Sequence, residues 1–320
     1  GILVISHTNI AVNQIKQKIG KYCPQLFEYP NFIGTIQSFV DKYLTRPYYE
    51  RQYGAKISRI DSQLYYDSFF RIFPPQYQPS LASNCYNLNT VLEECVVESD
   101  ILVDYFSRNT KKFKFNSNTK TYSHIVNVKK KLTSLGILNF KEAYYLGFRY
   151  IEALPIIKNI LQRRFCFVFV DEFQDMEKHQ YDILERIFYD NGNSSSIYQR
   201  IGDKNQAIFD GTSSIDEVWQ YRPTVITING SQRLPNLIAN VVDRFAINRT
   251  ADFSVRGLRE TDIKPHILRY SQRSIGNVIP FFMKRIEELI AQPENASFRE
   301  KVKAIDANGV YQYPIGIMGW

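Results

Sequence analysis

The sequence predicts an α/β protein: a parallel sheet interrupted by an inserted, mainly helical segment. Three observations carry that expectation. Phe167-Val168-Phe169-Val170, rich in aromatic and β-branched residues, stops at Asp171-Glu172-Phe173-Gln174-Asp175. Such a run reads as a buried parallel strand whose polar end reaches the edge where α/β proteins bind their ligands. Two apolar stretches near the N-terminus, Ile2 to Ser6 and the one ending at Gly34-Thr35, each pass directly into helical periodicity. Between about 46 and 140 the strand-helix alternation breaks, and the chain becomes rich in Tyr, Phe and Lys.

Taken in order, residues 1–45 are expected to hold two strand-helix units, the first helix carrying Ile15 and Ile19. Residues 46–140 form the insertion, with helices over Asp61 to Phe73 and Thr90 to Phe106. Its lysines, Lys111, Lys112, Lys114, Lys120 and Lys129 to Lys131, alternate with Phe113, Phe115 and Tyr122. They read as phosphate contacts or as a solvated basic loop. The sheet resumes over 141–255. There Phe140, Ala143, Leu146, Tyr150, Leu154, Ile157 and Leu161 recur at helical spacing as a core stripe leading into the central strand. Gln180, Ile183 and Leu184 follow that strand on another helix. Asn191 to Ser196 is a turn, and Val225 to Ile228 a short strand. Residues 256–320, with a helix around Val278 to Ile290, are expected to begin a second domain.

The acidic strand end carries the chemistry. One carboxylate, Asp171, suits Mg²⁺, a hard cation that keeps waters and nucleotide phosphates as its other ligands. Glu172 can orient or deprotonate an attacking water, and Gln174 can sense what occupies the site. A solvated strand end is the plain alternative for an isolated Asp-Glu pair.

The longer string Val170-Asp171-Glu172-Phe173-Gln174-Asp175 resembles the Walker B motif of the UvrD/Rep-like superfamily 1 DNA helicases, and further segments resemble that family in its order. Ser6-His7-Thr8-Asn9-Ile10-Ala11 is similar to motif Ia, and Gly34-Thr35-Ile36-Gln37-Ser38-Phe39 to motif Ib. Ile201-Gly202-Asp203-Lys204-Asn205-Gln206-Ala207-Ile208-Phe209 is similar to motif III. Asn229 and Arg233, with Ile238 on a following helix, resemble motif IV.

The resemblance implies a RecA-like P-loop NTPase domain with a helical insertion, ATP and Mg²⁺ as cofactors, and single-stranded or partly duplex DNA as partner. Its activity would be ATP-driven movement in the 3′ to 5′ sense. On that reading Asp171 holds the metal and Glu172 is the catalytic carboxylate. Gln174, Gln206 and Arg233 report phosphate occupancy, and Gly202, Asp203 and Thr35 hold the loops. His7, Thr8, Asn9, Thr35, Gln37, Ser38 and Phe209 would face DNA. Residue chemistry alone leaves rivals open. Thr8, Asn9, Thr35 and Ser38 also suit helix N-caps, Gly202-Asp203 suits a turn, and Arg233 suits a surface ion pair.

Departures from the family pattern are specific. Ile10 stands where the family has Lys, His7 where it has Phe, and Gln37 where it has His; Asp210-Gly211-Thr212-Ser213 replaces the usual Trp-Arg-Gly. The base-stacking platform must therefore come from Phe209 or elsewhere. No Gly-x-x-x-x-Gly-Lys-Ser/Thr string occurs. The chain opens on Gly1 at an apolar strand, so that segment and the motifs V and VI are expected in other parts of a longer protein. These residues alone are expected to hydrolyse ATP poorly.

Composition agrees without deciding. The 320 residues carry a formal charge of +8, which suits a polyanionic partner. Cys23, Cys85, Cys95 and Cys166 show no metal spacing and read as reduced thiols of a cytoplasmic protein, Cys166 within the core strand. No apolar run reaches about 18 residues, which argues against a membrane span. Two other readings compete with a helicase: a nucleotide- and DNA-sensing subunit that switches on a partner nuclease in a repair or anti-phage complex, and a DNA-binding module whose ATP site has decayed.

Overall fold

The computed structural model describes all residues except 83–87, 89, 108, 110–116, 208–214, 247–248, 250–252, 261–265, 267 and 306–320. The chain forms two compact units, Gly1–Gln220 and Tyr221–Trp320. Phe209 and the lysines of 111–114 lie outside the described residues.

The first unit is organised by a four-stranded parallel sheet of β1 (Ile2–Ser6), β2 (Phe32–Thr35), β7 (Phe167–Val170) and β8 (Ile197–Arg200), in the order β2-β1-β7-β8. Ile5 pairs with Gly34 on one side and Val170 on the other, and Val170 pairs with Arg200. All four strands therefore end along one rim, and whatever follows each of them is delivered there. Parallel strands need such an aligned edge because their connections cross back over the sheet faces.

Helices cover the sheet because its apolar side chains must leave water. Leu3, Ile5, Val168 and Val170 are fully buried against Phe39, Leu184 and Phe188. Helix α1 (Asn9–Ile19) follows β1. After β2 comes a longer helical run, α2 (Ile36–Val40), a π-turn over Asp41–Thr45, and α3 (Arg46–Tyr53). The central strand is asymmetric: Phe167 is 43% exposed, and Cys166 lies just before the strand and is exposed. The expectation of a core cysteine is corrected accordingly.

The insertion is only partly helical. Strand β3 (Arg59–Ile60) pairs with β6 (Ile137–Leu138), flanking α4 (Ser62–Ile72), α5 (Gln78–Ala82) and α6 (Lys120–Ser134). Asp61 caps α4 and Thr119 caps α6 through their side-chain oxygens. The helix expected over Thr90 to Phe106 is instead a π-turn over Thr90–Glu94, then an antiparallel hairpin of β4 (Cys95–Glu98) and β5 (Ile101–Asp104). Cys95-Val96-Val97 and Ile101-Leu102-Val103 are apolar, β-branched runs around the tight turn at Ser99-Asp100, where both residues take positive φ. The insertion has its own core of Tyr65, Phe69, Phe73, Leu102, Ile125 and Leu132.

The predicted core stripe falls on two helices, α7 (Phe140–Ala153) and α8 (Ile156–Arg164), broken at Leu154-Pro155. Ala143, Leu146 and Leu161 are buried as expected, but Phe140 is 45% exposed. It occupies the first turn, capped by Asn139 and beyond the reach of the core, so its place in the stripe is corrected. Helix α9 (Lys178–Leu184) buries Gln180, Ile183 and Leu184.

In the second unit β9 (Gly230–Pro235) pairs in parallel with β10 (Arg256–Arg259) around α10 (Asn236–Asp243), and α11 (Val278–Ala291) leads to α12 (Ala296–Lys303). Val225 to Ile228 is not a strand, and Ile226 and Ile228 are about four-fifths exposed, at 78% and 82%.

Candidate functional site

At the end of β7 the backbone leaves the sheet abruptly. The Asp171 N–H still donates to the Ile5 carbonyl at 2.8 Å, but Glu172 takes a left-handed conformation, φ 53° and ψ 45°. A non-glycine residue there is strained, and such strain persists only where surrounding contacts hold it. Those contacts are visible. Phe173 N–H donates to the Ile201 carbonyl at 3.0 Å, Ile201 N–H donates to the Val170 carbonyl at 2.8 Å, and the Arg200 guanidinium lies over the Phe173 ring.

Gln174 is the hub. Its Nε2 donates to Glu172 Oε2 at 2.6 Å, and its Oε1 accepts the Asp203 N–H at 3.0 Å. Asp203 accepts from the Asn205 N–H at 2.9 Å and from Gln206 Nε2 at 2.9 Å. Glu172, Gln174, Asp203 and Gln206 thus form one hydrogen-bonded chain from the central strand to the loop after β8. Gly202 permits it: a Cβ there would stand 2.5 Å from Gln174 Oε1 and 3.1 Å from the Phe173 nitrogen. Turn chemistry is real at Asp203, which caps the short helix Lys204–Gln206. The cap and the chain use the same carboxylate.

The donor set fits a magnesium nucleotide. Asp171 and Glu172, which directly follow β7, supply hard carboxylate oxygens of the kind Mg²⁺ takes beside waters and phosphates, and Asp175 Oδ1 is buried without a hydrogen-bond partner among the described residues. Burial raises the Asp175 carboxyl above its usual range; His7 opposes that rise and Glu172 adds to it. Among the described residues no three His, Cys, Asp or Glu side chains form a metal cage.

A cavity of about 650 Å³ opens on the same rim. Its wall includes His7, Thr8, Asn9, Thr35 and Gln37, five of the residues expected to face DNA. Thr8 and Thr35 also cap their helices, accepting the Ala11 and Ser38 N–H groups, so capping and lining coexist. Ser38 is not among the lining residues; its hydroxyl donates to the Thr35 carbonyl at 2.7 Å. Gln37 Nε2 donates to Asp41 Oδ1 at 2.7 Å.

The facing wall comes from elements the sequence reading did not assign to the site: Phe140, Lys141 and Tyr144 on α7, and His179 and Gln180 on α9. His179 stacks on Phe106, with centroids 4.8 Å apart, and meets the Tyr144 ring edge-on. Burial, then the nearby Lys141 charge, lowers its pKa to about 3, so it is neutral at ordinary pH. The available signal was Phe140 itself, an aromatic at the first helical position straight after the Asn139 cap.

Arg233 is exposed on β9 of the second unit, its N–H donating to the Ser231 hydroxyl. Phe209 lies outside the described residues.

Residues 1–211 match the family model of the UvrD/REP helicase N-terminal domain. No curated protein matches the chain.

Proposed function

The chain belongs to the UvrD/REP helicase family, and from that premise we propose that it grips single-stranded DNA and couples that grip to ATP hydrolysis, moving 3′ to 5′ along the strand. One observation carries the reading. The acidic end of β7 is hydrogen-bonded through Gln174 to the Asp203–Gln206 loop, on the rim that also bears the cavity walled by His7, Thr8, Asn9, Thr35 and Gln37.

In that reading Asp171 holds Mg²⁺ and Glu172 holds and polarises the attacking water. Bound Mg²⁺ supplies charge neutralisation for the transferring phosphoryl group. Gln174 does two things with one carboxamide. Its NH₂ fixes the Glu172 carboxylate, and its oxygen fixes the backbone of the loop after β8. A shift of Glu172 therefore moves Asp203 and Gln206.

In the cavity, exposed hydroxyls and N–H groups at the starts of α1 and α2 grip phosphate oxygens, where helix termini favour anions. Phe140 offers a ring face for a nucleobase, a contact worth about 1–3 kcal/mol, in the role expected of Phe209. Neutral His179 presents no charge to repel or trap the strand.

The test is DNA-stimulated ATP turnover in the intact protein beside Glu172→Gln. The variant should bind nucleotide and DNA and lose turnover by at least about a hundredfold, the scale of a positioned acid–base group. Wild-type turnover in the variant would reassign the catalytic carboxylate. Unwinding of a partly duplex DNA separates a motor from a nucleotide-sensing subunit.

A further inference from the structure

On the reading of the cavity as a nucleic-acid groove, we propose that Asp41 is a positioning residue for Gln37, which turns the Gln37 carboxamide oxygen toward the groove and makes the hold on the strand proton-dependent. Gln37 lines the cavity, while Asp41 sits one helical turn behind it at the start of the π-turn. Gln37 Nε2 donates to Asp41 Oδ1 at 2.7 Å. An ionised carboxylate can only accept, so it takes the NH₂ end of the amide and leaves the oxygen end for the cavity. The groove wall then presents an acceptor at Gln37. An acceptor suits the N–H edge of a nucleobase and is wrong for a phosphate oxygen.

Protonation opens the opposite pairing. A neutral Asp41 carries an O–H that donates to the Gln37 oxygen, which lets the amide turn and offer its N–H groups to the strand. Burial pushes the Asp41 carboxyl up to about 6, although the Gln37 hydrogen bond and the Arg46 charge both pull it down. Arg46, along its own helical run, acts on Asp41, and burial and then Asp41 raise the Tyr144 hydroxyl on α7, which packs against that run. Lys141, Glu93 and Glu177 line the same cavity and add charge of both signs around the strand, and His7 is a further titratable group on its wall.

The test is anisotropy of an end-labelled single-stranded oligonucleotide with this chain, between about pH 5 and 8 at constant ionic strength. On acidification the wild type should gain about three- to tenfold in affinity beyond the Asp41→Asn variant, the size of one typical net hydrogen bond. Asn keeps the volume and is neutral throughout, and urea unfolding of both proteins at each pH establishes that they are folded. Gln37→Ala, which retains Asp41 but lacks the amide, should lose the same increment. An Asp41→Asn profile that matches wild type overturns the proposal. A Gln37→Ala protein that keeps the increment also overturns it, because Asp41 would then act by charge alone. Absence of binding by all three proteins at every pH removes the groove reading, and this inference with it.

Discussion

Gly202→Ala is the sharpest test of the chain from Glu172 to Gln206. An alanine Cβ would stand 2.5 Å from Gln174 Oε1, and ordinary contact begins near 3.4 Å, so the oxygen must retreat by roughly 0.9 Å. It already accepts the Asp203 N–H at 3.0 Å, and that retreat takes the bond out of range. The same movement pulls Nε2 away from Glu172. The backbone cannot yield in its place, because Phe173 N–H is committed to the Ile201 carbonyl at 3.0 Å. Two hydrogen bonds at about 1 kcal/mol each, plus about 1–3 kcal/mol of overpacking, give a loss of about 3–5 kcal/mol. Urea unfolding of wild type, Gly202→Ala, Gln174→Ala and the double variant measures it. The double variant should cost clearly less than the sum of the singles, since truncating Gln174 removes the obstacle the new methyl meets. A Gly202→Ala midpoint equal to wild type, or strict additivity, would refute the argument.

Other perturbations separate the remaining roles. Phe140→Ala should weaken single-stranded DNA binding by about 1–3 kcal/mol with little change in thermal stability, because the ring is 45% exposed and packs no core; equal affinity would remove it as a stacking platform. His179 is neutral when folded, with a pKa near 3, and takes a proton near 6.5 when unfolded, so the stability it contributes is present above about pH 6.5 and is lost as pH falls toward 3. Wild type should therefore lose about 2 kcal/mol more than His179→Gln between roughly pH 7 and 5, by urea midpoints. Parallel pH profiles would place the protonation elsewhere.

Much of this protein could be read from the chain. The strand Phe167 to Val170, its acidic end and the two N-terminal strand-helix units follow from local patterning, because a strand buried in a parallel sheet tolerates few polar residues. The hairpin at Cys95 to Asp104 was missed because short apolar runs carry no period that separates helix from strand. Phe140 was misplaced because helical spacing continues into the first turn, whereas burial depends on what stands opposite.

The sequence by itself determined which residue types are available: the carboxylates of Asp171 and Glu172, the amides of Gln174 and Gln206, and the hydroxyls of Thr8 and Thr35. Tertiary structure decided their neighbours. Parallel register brings four strand ends, remote in sequence, to one rim, and there one amide bridges Glu172 to a loop some 30 residues away. The far wall of the cavity comes from helices whose distance from that rim no periodicity encodes. Hydrogen bonds and stacking act over a few ångströms, and only packing brings distant segments that close.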